Sequence, residues 1–233
     1  MRWFSGSRPP AEVAPPPGHR SPALRAILDD LPPGSRHAVL DLGPPLAGNI
    51  KVLSALECRV RIVDLHRSLS AEPVESRRPE AMGALYERLL PLVPDERFDA
   101  LLAWDVFDYM RPDQVSSLMA RLTPACRPGA LALVLVSTRR QIPARPRRYR
   151  IVDRESLAYD GPSHPECPCP RYGQHDLARL MPGFSVRSSF LLRSGVQEYL
   201  LARHAGEGAA GGRDARLASR PAAGRSWFRR GRL

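Results

Sequence analysis

The chain has 233 residues, 43% of them hydrophobic, which is enough for one substantial core. Its longest uninterrupted apolar run, Ala130 to Val136, falls far short of the roughly 20 residues a membrane-spanning helix needs. The net charge is +11 and Lys51 is the only lysine, so the surplus is guanidinium, which favours partners bearing phosphate or carboxylate.

In chain order, residues 1–20 carry five prolines in two short runs and are expected to be a disordered arm. This arm has no apolar stretch of the length a secretory signal requires, and the four cysteines are too few for a disulfide framework, so a cytoplasmic location is expected. Ser21-Pro22 starts a helix, a capping hydroxyl followed by proline at the first helical position, with Leu24, Ile27, Leu28 and Leu31 along one face. "HAVLDL" (37–42) reads as a buried strand, 49–57 as a helix, and "RVRIVDL" (59–65) as a second strand. Met82, Leu85, Tyr86, Leu89 and Leu90 recur at helical spacing, whereas nothing else between 70 and 95 reads as a strand. "FDALLAW" (98–104) is a continuous apolar strand running into Asp105. Pro112 opens a helix to Leu122, "CRPGA" (126–130) reads as a turn, and "LALVLVS" (131–137) is the most apolar strand. A short helix at 174–181 precedes "FSVRSSFLL" and "VQEYLLAR", joined through Arg193-Ser194-Gly195 as an antiparallel hairpin. The last thirty residues, 204–233, hold seven arginines among glycine and alanine and are expected to be a disordered tail. Apolar strands alternating with helices predict an α/β fold: a mostly parallel, Rossmann-like sheet covered on both faces and closed by an antiparallel hairpin.

The order of "VLDLGPPLAGN", "RIVDL", "FDALLAWDVFDYM", "LTPACRPGALALVLV" and "GFSVRSSFLLRSGVQEYLL" resembles the class I S-adenosylmethionine-dependent methyltransferases over roughly residues 21–203. The resemblance implies a methyl-transfer activity with S-adenosylmethionine as cofactor. It places Asp41, Gly43, Gly48 and Asn49 at the methionine moiety, Asp64 at the ribose hydroxyls and Trp104 facing the cofactor. Elementary chemistry agrees, because ligands of open α/β sheets sit at the carboxyl ends of the strands and a carboxylate accepts two hydroxyl hydrogen bonds at once. Two departures stand out. Pro45 and Ala47 occupy the places of the family's second and third glycines, and the family's third strand is not identifiable. Proline supplies neither positive φ nor an N–H.

Asp105 is the candidate catalytic carboxylate; it and Asp108 read either as groups that orient or deprotonate an acceptor, or as a strand end and the cap of the next turn. Tyr109 is a candidate substrate contact. The segment 137–150 carries six arginines and no acid, and its Arg139 and Arg140 are candidate contacts to an anionic acceptor. Nucleic acid is a conceivable partner, but no aromatic-interleaved recognition motif is present. His164, Cys167, Cys169 and His175 have zinc-type donors at poor spacing; a proline-rich loop with free thiols is the simpler account, and no metal is assigned. Two other functions fit the same pattern: a catalytically silent methyltransferase fold that binds partners through its arginines, and a nicotinamide oxidoreductase, which lacks its G-x-G-x-x-G turn.

Overall fold

Continuous apolar runs with β-branched residues and leucine on both sides of the chain must be covered on both faces, and this decides the centre of the molecule. The computed structural model describes residues 18–159, 165–192 and 194–205. From the N-terminal end come β1 (Gly18–Arg20), α1 (Pro22–Asp29), β2 (Ala38–Asp41), α2 (Ala47–Ala55), β3 (Arg59–Ile62) and α3 (Leu65–Ser70). Next are α4 (Met82–Leu89), β4 (Phe98–Trp104), α5 (Pro112–Ala125) and β5 (Cys126–Ser137). Four short strands follow, β6 (Gln141–Pro143), β7 (Tyr149–Ile151), β8 (Ser156–Tyr159) and β9 (Glu166–Pro168). The chain closes with α6 (Gln174–Leu180), β10 (Phe184–Leu191) and β11 (Val196–Arg203).

The main sheet has six strands in the order β10-β11-β5-β4-β2-β3. β3, β2, β4 and β5 are mutually parallel, while β11 pairs antiparallel with both β5 and β10. The predicted fold class is therefore the observed one. Side chains alternate across the sheet as strand geometry demands. On β4, Leu101 and Ala103 pack with α4, α5 and α6, joined there by Phe98 because the register shifts between Phe98 and Ala100, and Ala100, Leu102 and Trp104 pack with α1 and α2. Residues 71–95 form two 3-10 turns and α4 but no strand, so β3 is an edge. The hairpin, the capping of α1 by Ser21 and the span of β4 agree with the sequence reading; α2 begins two residues earlier than expected, and β5 absorbs the segment 126–130 read as a turn.

Residues 18–20, assigned from sequence to the disordered arm, form β1, which pairs with β8 in a three-stranded sheet β1-β8-β7. The rest of that arm, and the tail beyond 205, including Trp227 and Phe228, lie outside the described residues. The N-terminus of α1 rests on Glu198 of β11, whose fully buried carboxylate accepts from the Ser21 hydroxyl at 2.7 Å and the Ala23 N–H at 2.6 Å. Two otherwise orphaned donors of the first helical turn are thereby satisfied by one acid. Among the described residues no helix is long and apolar enough to cross a membrane.

Candidate functional site at the carboxyl edge of the sheet

β2 ends at Asp41 and the chain passes through Gly43, Pro44 and Pro45 into α2. The two prolines lie in the connection, ahead of the first helical residue, where a missing N–H costs little. Asp41 is buried, and one carboxylate oxygen accepts both the Gly43 N–H, at 2.8 Å, and the Trp104 indole N–H, at 2.6 Å. Burial pushes the carboxyl up to about 6, against the pull of those two donors. Gly43 is pressed under the same indole: a Cβ there would lie 2.7 Å from Trp104 Cδ1, so only glycine fits.

Trp104 reaches this position from the end of β4 with φ +51°, a conformation rarely adopted by a bulky residue. Its ring stacks parallel on Tyr149 of β7, with centroids 5.8 Å apart and planes 5° from coplanar. Asn49, on the first turn of α2, holds β7 in place. Its amide donates to the Tyr149 carbonyl at 3.0 Å and accepts from the Ile151 N–H at 2.8 Å. Trp104 thus lies beside Asp41 and Gly43 and fills the cradle between them. Asn49 is 2% exposed, and one of its amide N–H groups and its amide oxygen are engaged with β7. Gly48 lines a separate surface cavity bordered by β1, β7 and β8.

Asp64 stands two residues beyond β3 and caps α3, accepting from the Arg67 N–H at 3.3 Å; it is half-buried, and its charge is felt at Asp41. The 3-10 turn 106–109 begins immediately after Asp105. Neither acid there caps it. Asp105 Oδ2 accepts from the Arg147 N–H at 3.1 Å, and Asp108 Oδ2 from the Ser137 N–H at 2.8 Å, so the two tie the turn to the chain leaving β5. Burial raises both to about 7. The second oxygen of each is buried without a hydrogen-bond partner.

Two cavities adjoin this turn. The larger, about 570 Å³, lies between α3, the turn and β9; its walls include His66, Leu69, Arg77, Asp108, Tyr109 and Cys167. The smaller, about 40 Å³, is bordered by Asp105, Asp108, Tyr109, Arg139, Arg147 and Tyr149. Neither takes a wall residue from Asp41, Gly43 or Asp64. Tyr109 borders both cavities. Its hydroxyl donates to backbone carbonyls of Pro143 and Arg145, each at 2.9 Å, and its ring meets His66 edge-on at 5.0 Å. Arg139 reaches the smaller cavity; Arg140 is exposed, borders neither cavity, and touches the rest of the site only through its carbonyl. Tyr149 and Arg147, the residues that complete the site, carry no signal in the sequence beyond their place in an arginine-rich segment. Cys167 and Cys169 are half-buried free thiols, and burial pushes Cys169 up to about 12. His164 lies outside the described residues, and among those described no three metal-type donors converge.

No family model matches the chain, and no curated protein does. Among solved structures it is similar to a Burkholderia thailandensis 1,6-didemethyltoxoflavin-N1-methyltransferase with bound S-adenosylhomocysteine, at 19% identity and a TM-score of 0.44 over 78% of this chain and 77% of that one. It is also similar to the N-methyltransferase NodS of Bradyrhizobium japonicum WM9, at 14% identity and 0.42 over 78% and 92% of the two chains. For the glycopeptide N-methyltransferase MtfA complexed with sinefungin the values are 13% and 0.43, over 78% and 92%. Identities and scores this low carry no inference about ligand or reaction.

Proposed function

We propose that the chain is an S-adenosylmethionine-dependent methyltransferase whose donor site lies at the turn leaving β2. The observation that supports this best is the pairing of a buried carboxylate, Asp41, with a bare Gly43 backbone at the carboxyl end of a central parallel strand. The chemistry of these groups fits a cationic donor: Asp41 would accept from its amino group, Gly43 leaves room for its backbone-like portion, and Asp64 would accept from a ribose diol. When bound, S-adenosylmethionine supplies a methyl group on a sulfonium centre. In the present conformation the volume belongs to the Trp104 indole, which satisfies Asp41 with the kind of N–H donor a ligand would bring. Donor binding therefore requires the indole to leave. Asp105 and Asp108, held near neutrality by burial, are suited to hold or accept an acceptor's proton, and the acceptor itself is placed in the 570 Å³ cavity they border through Asp108.

The indole in the cradle also favours a second reading, in which the cradle is closed for good and the fold binds partners without catalysis. Titrating S-adenosylhomocysteine calorimetrically into the wild-type chain and into Trp104→Ala separates the two. The enzyme reading expects saturable binding that tightens in the variant; a folded variant that gives no heat at millimolar ligand leaves only the silent fold.

A further inference from the structure

Buried polar atoms nearly always have partners, so a set of partnerless ones facing a single cavity describes the guest that is missing from it. Asp105 and Asp108 are 6% and 3% exposed, and each has one Oδ atom that makes no well-formed hydrogen bond; the Cys169 thiol, a weak donor, lies against the Asp108 carboxyl. They stand three residues apart at a 3-10 turn, a spacing that puts side chains on one side. Both border the 40 Å³ cavity. Tyr149 borders it too, from a different part of the chain; its buried hydroxyl makes no well-formed hydrogen bond, and the donor beside it is the Arg147 side chain.

The two carboxylate oxygens only accept, and the phenol oxygen accepts while its own O–H can turn to one of them. A guest that satisfies the three together must carry several N–H or O–H donors, and it is favoured if it is positive. Water brings only two donors and no charge. A divalent metal would need a larger ring of ligands than the described residues assemble. An ammonium head has three or more N–H bonds and the matching charge. Arg147 lines the cavity as well: its guanidinium lies over the Tyr159 ring, 4.9 Å from its centroid, and its charge acts on both Asp105 and Asp108, so one guanidinium faces two carboxylates and one negative charge is left for a cationic guest. Arg139 and Glu166, one positive and one negative, are also on the wall.

The small cavity admits only a head group, but Asp108 and Tyr109 also form part of the wall of the 570 Å³ cavity. There Leu69, Val74, Val106 and Met110 offer apolar surface to a body attached to that head. We propose that Asp105, Asp108 and Tyr149 hold the ammonium end of a primary amine with an apolar body, and that Asp108 receives its proton. In that transfer an N–H bond breaks, its electron pair stays on nitrogen as a free lone pair, and an O–H bond forms on Asp108. As the acceptor of a methyl group the amine rests on the donor reading above; as a ligand of this pocket it does not.

The test uses the full chain at pH 8, with hexylammonium and methylammonium as probes and hexanol as the neutral control, read by thermal unfolding and by carboxyl carbon NMR. The expected result is saturable stabilisation by hexylammonium, at least tenfold tighter than by methylammonium because of the buried methylenes. Hexanol gives none, and Asp105→Asn and Asp108→Asn each weaken binding at least tenfold. Should a variant fail to fold, the wild-type NMR titration decides: hexylammonium must move the titrations of both carboxyls to lower pH. No saturable effect on the folded wild type, or an equal effect of hexanol, overturns the proposal. Amine binding without S-adenosylhomocysteine binding keeps the pocket and removes its acceptor role; the reverse removes this proposal and leaves the donor site standing.

Discussion

Replacing Trp104 tests the filled cradle most sharply, because each part of the side chain has a separable job. Trp104→Phe keeps an aromatic ring against Tyr149 and removes only the N–H that reaches Asp41 at 2.6 Å. Hydrogen bonds to charged groups contribute about 1.5–3 kcal/mol, so a loss near 2 kcal/mol is expected. Trp104→Ala removes the ring as well, and deleting a buried aromatic costs about 3–5 kcal/mol. Trp104→Gly should recover about 1 kcal/mol relative to alanine, because φ at this position is +51° and glycine adopts that region without penalty. Urea unfolding at constant slope measures all three as shifts of the midpoint. The same samples should bind S-adenosylhomocysteine at least tenfold more tightly for alanine than for wild type, since a competing occupant has been removed. An alanine variant within about 1 kcal/mol of wild type would refute the seating of the indole, since a void of that size cannot be that cheap.

Three further outcomes follow from the same geometry. Asp41, Asp105 and Asp108 are all raised by burial, to about 6, 7 and 7, so the folded chain binds protons more tightly than the unfolded one. Their contribution to stability is full below about pH 4 and is lost as pH rises through 6 to 7, so the melting temperature should fall across that window, and Asp105→Asn with Asp108→Asn together should flatten the fall. Asn49→Ala leaves the Ile151 N–H and the Tyr149 carbonyl without partners and should cost about 2–3 kcal/mol, with the Ile151 amide losing hydrogen-exchange protection before the main sheet does. Glu198→Ala strands the Ser21 hydroxyl and the Ala23 N–H at the start of α1 and should cost about 2–4 kcal/mol in urea, against a fraction of that for Glu198→Gln.

How much was legible in the chain follows from the range over which each feature is decided. β4 could be read to the residue because "FDALLAW" is apolar at every position but Asp99 and is bounded by Arg97 and Asp105. Ser21-Pro22 likewise announces α1 by local chemistry alone. β6, β7 and β9 are three residues each, too short for an alternation to register, and two of them include proline. The site depends on contacts of still longer range. Asn49 bonds a strand 100 residues away, and nothing around it distinguishes that role from a ligand contact. Pro45, which departs from the glycine pattern, lies harmlessly in the connection, and the occupant of the cradle is Trp104, 63 residues beyond Asp41. Its backbone conformation, which turns the ring onto Gly43, is imposed by tertiary packing and leaves no trace in composition or periodicity.

Calorimetric titration of S-adenosylhomocysteine, run side by side on the wild-type and Trp104→Ala proteins, bears on the donor site more directly than any stability measurement. One site per chain, tighter in the variant and weakened by Asp64→Ala, is the predicted result. Folded samples of both proteins that give no saturable heat at millimolar ligand would contradict it.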